Sequence, residues 1–409
     1  MPKQKIRITD EQRIERLKPQ IHDLLLKNRR FAGEFQYTVP SPQTYPYQWL
    51  WDSCFHAIMF LHLDAADAKK EILSLVSKQF ANGMIPHMIY WQMGEVIKID
   101  WGVEGTSSIT QPPILAYTVS RIWEKEKDLS FLQTIYPHLK KFYNYLLIAR
   151  DPRHHHLIGI LNPDESGEDN SPRFDIPLGL PPQHTLEKNF EMRTKLYKEN
   201  IKCKFDAPFC MKNFFWVKDV PFNAIMVENL QSLSKLSQVL GFAEDAAYFA
   251  KSADEITAAM RKVMYSDGIF WSTYGEDYTQ IKVKTWAIFA PLIGQIATEE
   301  EAKRLVTEYL FNPREFGARF GVPTVSKSES SYDPQGFWRG PTWISVNWFI
   351  YRGLMNYGFT EAAMKVRDAS MELLETSGFR EQFHPDTGAG FGALEFTWGG
   401  LIVDMFENS

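Results

Sequence analysis

The stretch G-F-A-E-D-A-A at residues 241–247 returns as G-F-T-E-A-A at residues 358–363. Each copy lies between two runs of apolar residues at helical spacing. The glycine supplies the left-handed stop of one helix, the phenylalanine staples the turn, and the acid falls in the first turn of the next helix, where it complements the helix dipole. L-H-L-D-A-A-D at residues 61–67 reads as a degenerate third copy. The repeated unit is therefore a helical hairpin.

Outward from these turns, apolar residues recur with a helical period through most of the chain, and strand-like alternation is scarce. The pattern predicts helices from Thr9-Asp10 to about residue 27 and over 52–62, 64–80, 110–125, 129–149, 222–240, 243–264, 287–296, 299–310, 342–357, 360–377 and 398–406. Thr298 and Glu301 form a capping box at one start. About twelve helices make six hairpins, and six hairpins close into an all-α ring, an (α/α)6 toroid whose inner helices surround a funnel, with an open solenoid as the alternative. Long aromatic loops at 35–51, 86–105, 157–218, 316–340 and 379–397 would cover the funnel; loops of this length in a compact protein are usually functional. No linker divides the chain, so residues 1–409 read as a single domain, with the charged, loop-rich segment 180–218 as an insertion suited to act as a lid.

The 44% hydrophobic and 23% charged content fits a globular protein with a large core. A net charge of −5 and the lack of any basic run argue against nucleic acid. No window is apolar enough for a membrane span or signal peptide, which predicts a cytoplasmic protein with no membrane partner. Cys54, Cys203 and Cys210 are odd in number and irregular in spacing, so they are expected to be buried small apolar residues rather than a disulfide framework or zinc site. His154, His155 and His156 are consecutive and do not converge as metal ligands do, so they read as solvated turn residues. No nucleotide, dinucleotide or serine-nucleophile motif is found, so no metal and no cofactor is expected. The unusual feature is aromatic content, 14% with 12 Trp, which suits a flat-faced ligand such as a sugar.

The dense acidic turn E-S-G-E-D-N-S-P-R-F-D, residues 165–175, and R-E-Q-F-H-P, residues 380–385, supply carboxylates from distant parts of the chain. Glycoside hydrolysis needs such a pair, one acid for the leaving oxygen and one base for water. Y-P-Y-Q-W-L-W-D (45–52) and F-W-R-G-P-T-W (337–343) place indoles beside charges, a combination that stacks on sugar faces and binds hydroxyls.

Taken in order, W-L-W-D, E-S-G-E-D-N-S-P-R, F-W-R-G-P-T-W and R-E-Q-F-H-P-D-T-G resemble glycoside hydrolase family 63, in particular its compact members that hydrolyse mannosylglycerate or glucosylglycerate. The resemblance runs from about residue 45 to 406. It implies an (α/α)6 inverting α-glycosidase with Asp169 as general acid and Glu381 as general base. It also implies a sugar pocket built from Trp49, Trp51, Asp52, Gln111, Trp338, Arg339 and Trp343; Gly167, Arg173 and Trp398 join them as candidate substrate-binding residues, with Arg173 also expected to fix the direction of the turn that carries Asp169. Two departures stand out: Glu168, where relatives often carry an aromatic or apolar residue, and Glu395 in the F-G-A-L-E-F-T-W run. Arg193, in the cationic segment 180–218, is a candidate clamp for a charged aglycone. The small-molecule partner is then an α-glucoside or α-mannoside of glycerate. A neutral oligosaccharide substrate and a non-catalytic sugar-binding protein are the alternatives.

Overall fold

The computed structural model describes residues 9–91, 101–181 and 183–407. The predicted 86–105 loop falls partly outside them.

Chain order gives α1 (Asp10–Asn28), α2 (Leu50–Phe60), α3 (Ala65–Val76), α4 (Leu115–Glu126), α5 (Leu129–Ala149), α6 (Leu186–Lys202), α7 (Ala207–Asn213), α8 (Val220–Val239), α9 (Ala243–Val263), α10 (Glu299–Arg304), α11 (Ile344–Asn356), α12 (Thr360–Ser377) and α13 (Ile402–Glu407). Six of these starts carry side-chain caps. Thr9 with Gln12 and Thr298 with Glu301 form capping boxes, and Asp64, Asp128, Thr185 and Asp206 each accept a first-turn N–H.

An inner ring runs through α2, α4, α8, the 3-10 segment Trp286–Leu292, α11, and the 3-10 segment Thr397–Leu401 that leads into α13; each packs on the next, and Thr397–Leu401 closes back on α2. The outer layer is α3, α5, α9, α10 with its π turn, α12 and α1. This is the (α/α)6 toroid. Its chemistry is visible in burial: every residue of α2 is buried, as is the whole run 344–354 of α11, whereas α9 and α12 bury a stripe. A helix apolar all round belongs inside a ring, and an amphipathic one outside. The two glycine turns join α8 to α9 and α11 to α12, with Gly241 and Gly358 in the left-handed region at φ +78° and +71°. The third copy joins α2 to α3.

Several expectations need correction. The helix expected from 110 starts at Leu115, because Pro112 and Pro113 cannot sit inside it. Residues 180–218 are not mainly loop: α6 and α7 occupy most of them. On α6, Asn189, Leu196, Tyr197 and Asn200 face inward at helical spacing, a stripe obscured in the sequence by its lysines. The long loops also carry short strands, among them the antiparallel hairpin Arg380–Phe383 with Gly390–Leu394, which holds Glu381. Cys203 and Cys210 are joined in a disulfide, contrary to the unpaired state expected of them. Residues 204–206 reverse the chain between α6 and α7, with Lys204 and Phe205 at positive φ, and bring the two Cα atoms to 6.1 Å, within disulfide reach. Cys54 is buried and free. The three consecutive histidines lie exposed on a turn.

Candidate active site

A cavity of about 230 Å³ opens where α2 and α11 begin, and segments from most of the chain converge on it. The segment entering α2 brings Tyr45 and Trp49, and the first turn of α2 brings Trp51 and Asp52. The turn before α11 brings Trp338 and Trp343, whose rings stack in parallel at 3.9 Å. Trp398 packs edge-on to Trp51 at 5.0 Å and donates its indole N–H to Asp52 Oδ1 at 2.6 Å. Burial raises the Asp52 carboxyl to about 6. Gln111 lines the wall and accepts the Trp51 N–H at 3.2 Å. Aromatic faces with a few convergent polar groups are what a sugar ring requires.

The acidic turn follows α5. Its charge density is resolved by pairing: Glu165 is fully buried against Arg150, with oxygens 2.6 and 2.7 Å from the guanidinium, and also accepts the N–H groups of Thr110 and Leu161. Glu168 is buried against Arg173, which also binds Asp219. Asp175 takes Arg339 in two bonds of 2.8 and 3.0 Å. Asn170 accepts the Trp338 N–H and donates to Gly336 O, tying this turn to the stacked indoles. Gly167 holds φ +74°, and a Cβ there would stand 2.4 Å from the Trp51 ring.

These ties leave Asp164 and Asp169 facing the cavity. Arg193 of α6 reaches both: Nε and Nη2 donate to Asp164 Oδ1 at 3.0 and 2.7 Å, and Nη1 lies 2.7 Å from Asp169 Oδ2. Tyr197, one turn on, donates its hydroxyl to Asp164 Oδ2. Asp169 Oδ1 is buried without a hydrogen-bond partner. Burial raises the Asp169 carboxyl above its ordinary value, Arg193 opposes that, and the Asp164 charge adds to it.

Glu381 enters from the hairpin. Its Oε1 accepts the Tyr45 hydroxyl at 2.6 Å and its Oε2 the Ala393 N–H at 2.7 Å. Burial raises this carboxyl too; the two donors favour its ionised form, and Asp169 disfavours it. Asp169 and Glu381 thus meet one cavity in different surroundings, the first with one oxygen on Arg193 and the other unpartnered, the second held by two neutral donors. That asymmetry suits one to carry a proton and the other to accept one.

Of the residues singled out in the sequence, Trp49, Trp51, Asp52, Gln111, Gly167, Asp169, Arg193, Trp338, Trp343, Glu381 and Trp398 all line this cavity. Arg173 and Arg339 do not. Both are spent on buried carboxylates behind the wall, so they brace the site and are corrected from sugar ligands to structural residues. Glu168 is likewise behind the wall, and Glu395 pairs at the surface with Lys27. The sequence reading did not single out Tyr45, His87 or Tyr197. Tyr45 lay within the quoted aromatic motif, but nothing local marked His87. That ring is buried between Trp49 and Trp101, its Nδ1 is 2.5 Å from Ser107 Oγ, and burial lowers it to about 4.

Residues 45–399 match the family described as Mannosylglycerate hydrolase MGH1-like glycoside hydrolase domain. A mannosylglycerate hydrolase of Thermus thermophilus is 31% identical over 93% of this chain and 98% of its own. A glucosylglycerate hydrolase of Mycolicibacterium hassiacum is 26% identical over 90% of this chain and 93% of its own. The crystal structure of a glycoside hydrolase family 63 mannosylglycerate hydrolase from Thermus thermophilus, in complex with Tris and D-glycerate, superposes with a TM-score of 0.88 at 31% identity, covering 96% of this chain and all of that one.

Proposed function

The chain belongs to the mannosylglycerate hydrolase MGH1-like glycoside hydrolases of family 63, and from that premise we propose that it hydrolyses α-glucosyl- or α-mannosylglycerate, with Asp169 as acid and Glu381 as base. Asp169 passes its proton to the glycosidic oxygen as the bond from that oxygen to the anomeric carbon breaks. Glu381 takes a proton from the water whose oxygen bonds to the anomeric carbon from the other face. The products are glycerate and the sugar with inverted configuration, and solvent then returns a proton from Glu381 to Asp169. No cofactor enters the scheme.

The observation that carries the substrate reading is Arg193, a cation at the cavity wall 2.7 Å from the proposed acid. A glycerate carboxylate in the leaving-group position would meet it in charge-assisted hydrogen bonds. The relatives support the same class: one is a mannosylglycerate hydrolase solved with D-glycerate and with glucose, another a glucosylglycerate hydrolase. In this reading α6 forms the aglycone wall, residues 180–218 serve as the lid of a single functional unit, and the indoles hold the sugar.

The test is kcat/KM for glucosylglycerate and mannosylglycerate against their glycerol counterparts, in wild type and Arg193→Ala. A clamped carboxylate predicts a preference of about 30- to 900-fold for the charged substrates, or about 2 to 4 kcal/mol, largely lost in the variant. Equal values in wild type would contradict the glycerate reading. Preference that survives Arg193→Ala would move the clamp to another cation.

The proposal also places the enzyme in the cytoplasm. No helix among the described residues is long and apolar enough to cross a membrane. The Cys203–Cys210 bond counts the other way. Thiol counting on protein denatured and alkylated at lysis tests it: three free thiols fit a reducing compartment, one contradicts it.

A further inference from the structure

Arg193 has two acidic partners, and the proposed mechanism uses only one of them. Asp164 lines the same cavity, takes two of the three guanidinium contacts, and is fixed in turn by the Tyr197 hydroxyl. Its backbone is set as well. It lies in the 3-10 turn Pro163–Ser166, which Asn162 caps by accepting the Asp164 N–H at 3.1 Å, and which Gly167 ends in the left-handed region. Tyr197 and Arg193 stand one helical turn apart on α6, so the helix presents both to the same carboxylate.

This arrangement bears on the acid. A guanidinium 2.7 Å from a carboxyl favours its ionised form, and an ionised Asp169 has no proton to give. We propose that Asp164 is a positioning residue for the acid: it anchors Arg193 at the aglycone end of the cavity and balances its charge, so that the proton stays on Asp169. The inference rests on the assignment of Asp169 as the acid made above.

The charged and titratable groups facing Asp169 are Arg193 and Tyr197 from α6, Asp164 from its own turn, Glu381 from the hairpin, and Tyr45 from the turn before α2. Among the acids of the described residues, Asp164 alone contacts Arg193 together with Asp169. When a glycerate carboxylate joins Arg193, it would add a second counter-charge and push in the same direction. The pair Asp164 and substrate would then make proton transfer depend on a charged aglycone, so that selectivity is read in kcat as well as in KM.

The sign follows directly. In Asp164→Asn the side chain keeps its shape and its acceptor oxygen for Arg193, but the guanidinium charge falls on Asp169 alone. The acid then ionises at lower pH, and the alkaline limb of kcat moves to lower pH while the acid limb, set by the base, stays closer to its wild-type place. The experiment is kcat and KM against pH for glucosylglycerate and mannosylglycerate, with the α-glycosyl fluoride of the same sugar as companion, since fluoride leaves with little help from an acid. Three forms are compared: wild type, Asp164→Asn and Asp164→Glu.

The expected result is an alkaline limb lowered by about one pH unit in Asp164→Asn. At pH 7 the loss of kcat on the glycerate glycoside should exceed the loss on the fluoride by on the order of 10-fold, with partial recovery in Asp164→Glu. A variant whose pH profile superimposes on wild type at uniformly lower rate, or whose losses on glycoside and fluoride are equal, overturns the inference and leaves the parent assignment standing. A wild type that cleaves neither substrate overturns the assignment of the acid and this inference with it.

Discussion

At the scale of single residues, the site is governed by how each carboxyl is partnered. Glu381 has neutral donors on both oxygens, and the backbone around it is shaped to permit that. Gly392, opposite it in the hairpin at φ +67°, would place a Cβ 2.2 Å from Glu381 Oε2. Gly392→Ala should therefore displace Glu381, the proposed base, from the Ala393 N–H while leaving the indole walls untouched. We expect kcat to fall on the order of 10²-fold or more with KM little changed, as for a group acting chiefly in the transition state. Glu381→Gln, which removes the base itself, sets the lower bound. Steady-state kinetics on the two purified variants checks this; near wild-type kcat in either would move the base elsewhere. The residue scale is also where the sequence was least sufficient. That Asp169 and Glu381 would share one cavity was legible through the family likeness, and the indoles around them through their motifs. Arg173 and Arg339 carry the same charge as Arg193, but only three-dimensional pairing tells a cation buried behind a wall from one at its face.

At the scale of elements, the acidic turn behaves as a rigid bracket. Glu165, Glu168 and Asp175 are each buried on an arginine, and those arginines come from the end of α5, from the turn itself and from the turn before α11. A buried pair is costly to half-remove because the remaining charge is stranded. Glu165→Gln leaves Arg150, about 1% exposed, without its counter-charge, so we predict a loss of about 3 to 5 kcal/mol in unfolding free energy. Urea titration measures it. A loss below about 1 kcal/mol would mean that water reaches this pair and that the bracket is softer than its geometry implies. The hairpin turns were readable here because glycine, phenylalanine and acid each have a local job. Helix α6 was not, because a charged surface masks its inward stripe, and the hairpin bearing Glu381 was not, because strands of four and five residues are too short to show an alternating pattern.

At the scale of the whole molecule, the ring explains why distant segments share one cavity. The inner helices begin or are entered at the same mouth, so residues 45–52, 164–169, 338–343 and 381 meet although they span most of the chain. Counting hairpins foresaw that closure. It could not foresee that two of the inner-ring positions would be 3-10 segments in whole or part, set by Pro291 in one and by Gly399 and Gly400 in the other. Because Glu381 is proposed to act as a base on water and not as a nucleophile, the account requires direct attack by water and a single displacement at the anomeric carbon. The measurement that bears on this most directly is proton NMR of the first sugar released from an α-glycosylglycerate by the wild-type protein, recorded before mutarotation. The account predicts that the β-anomer appears first and the α-anomer only as the two equilibrate; initial release of the α-anomer would contradict it.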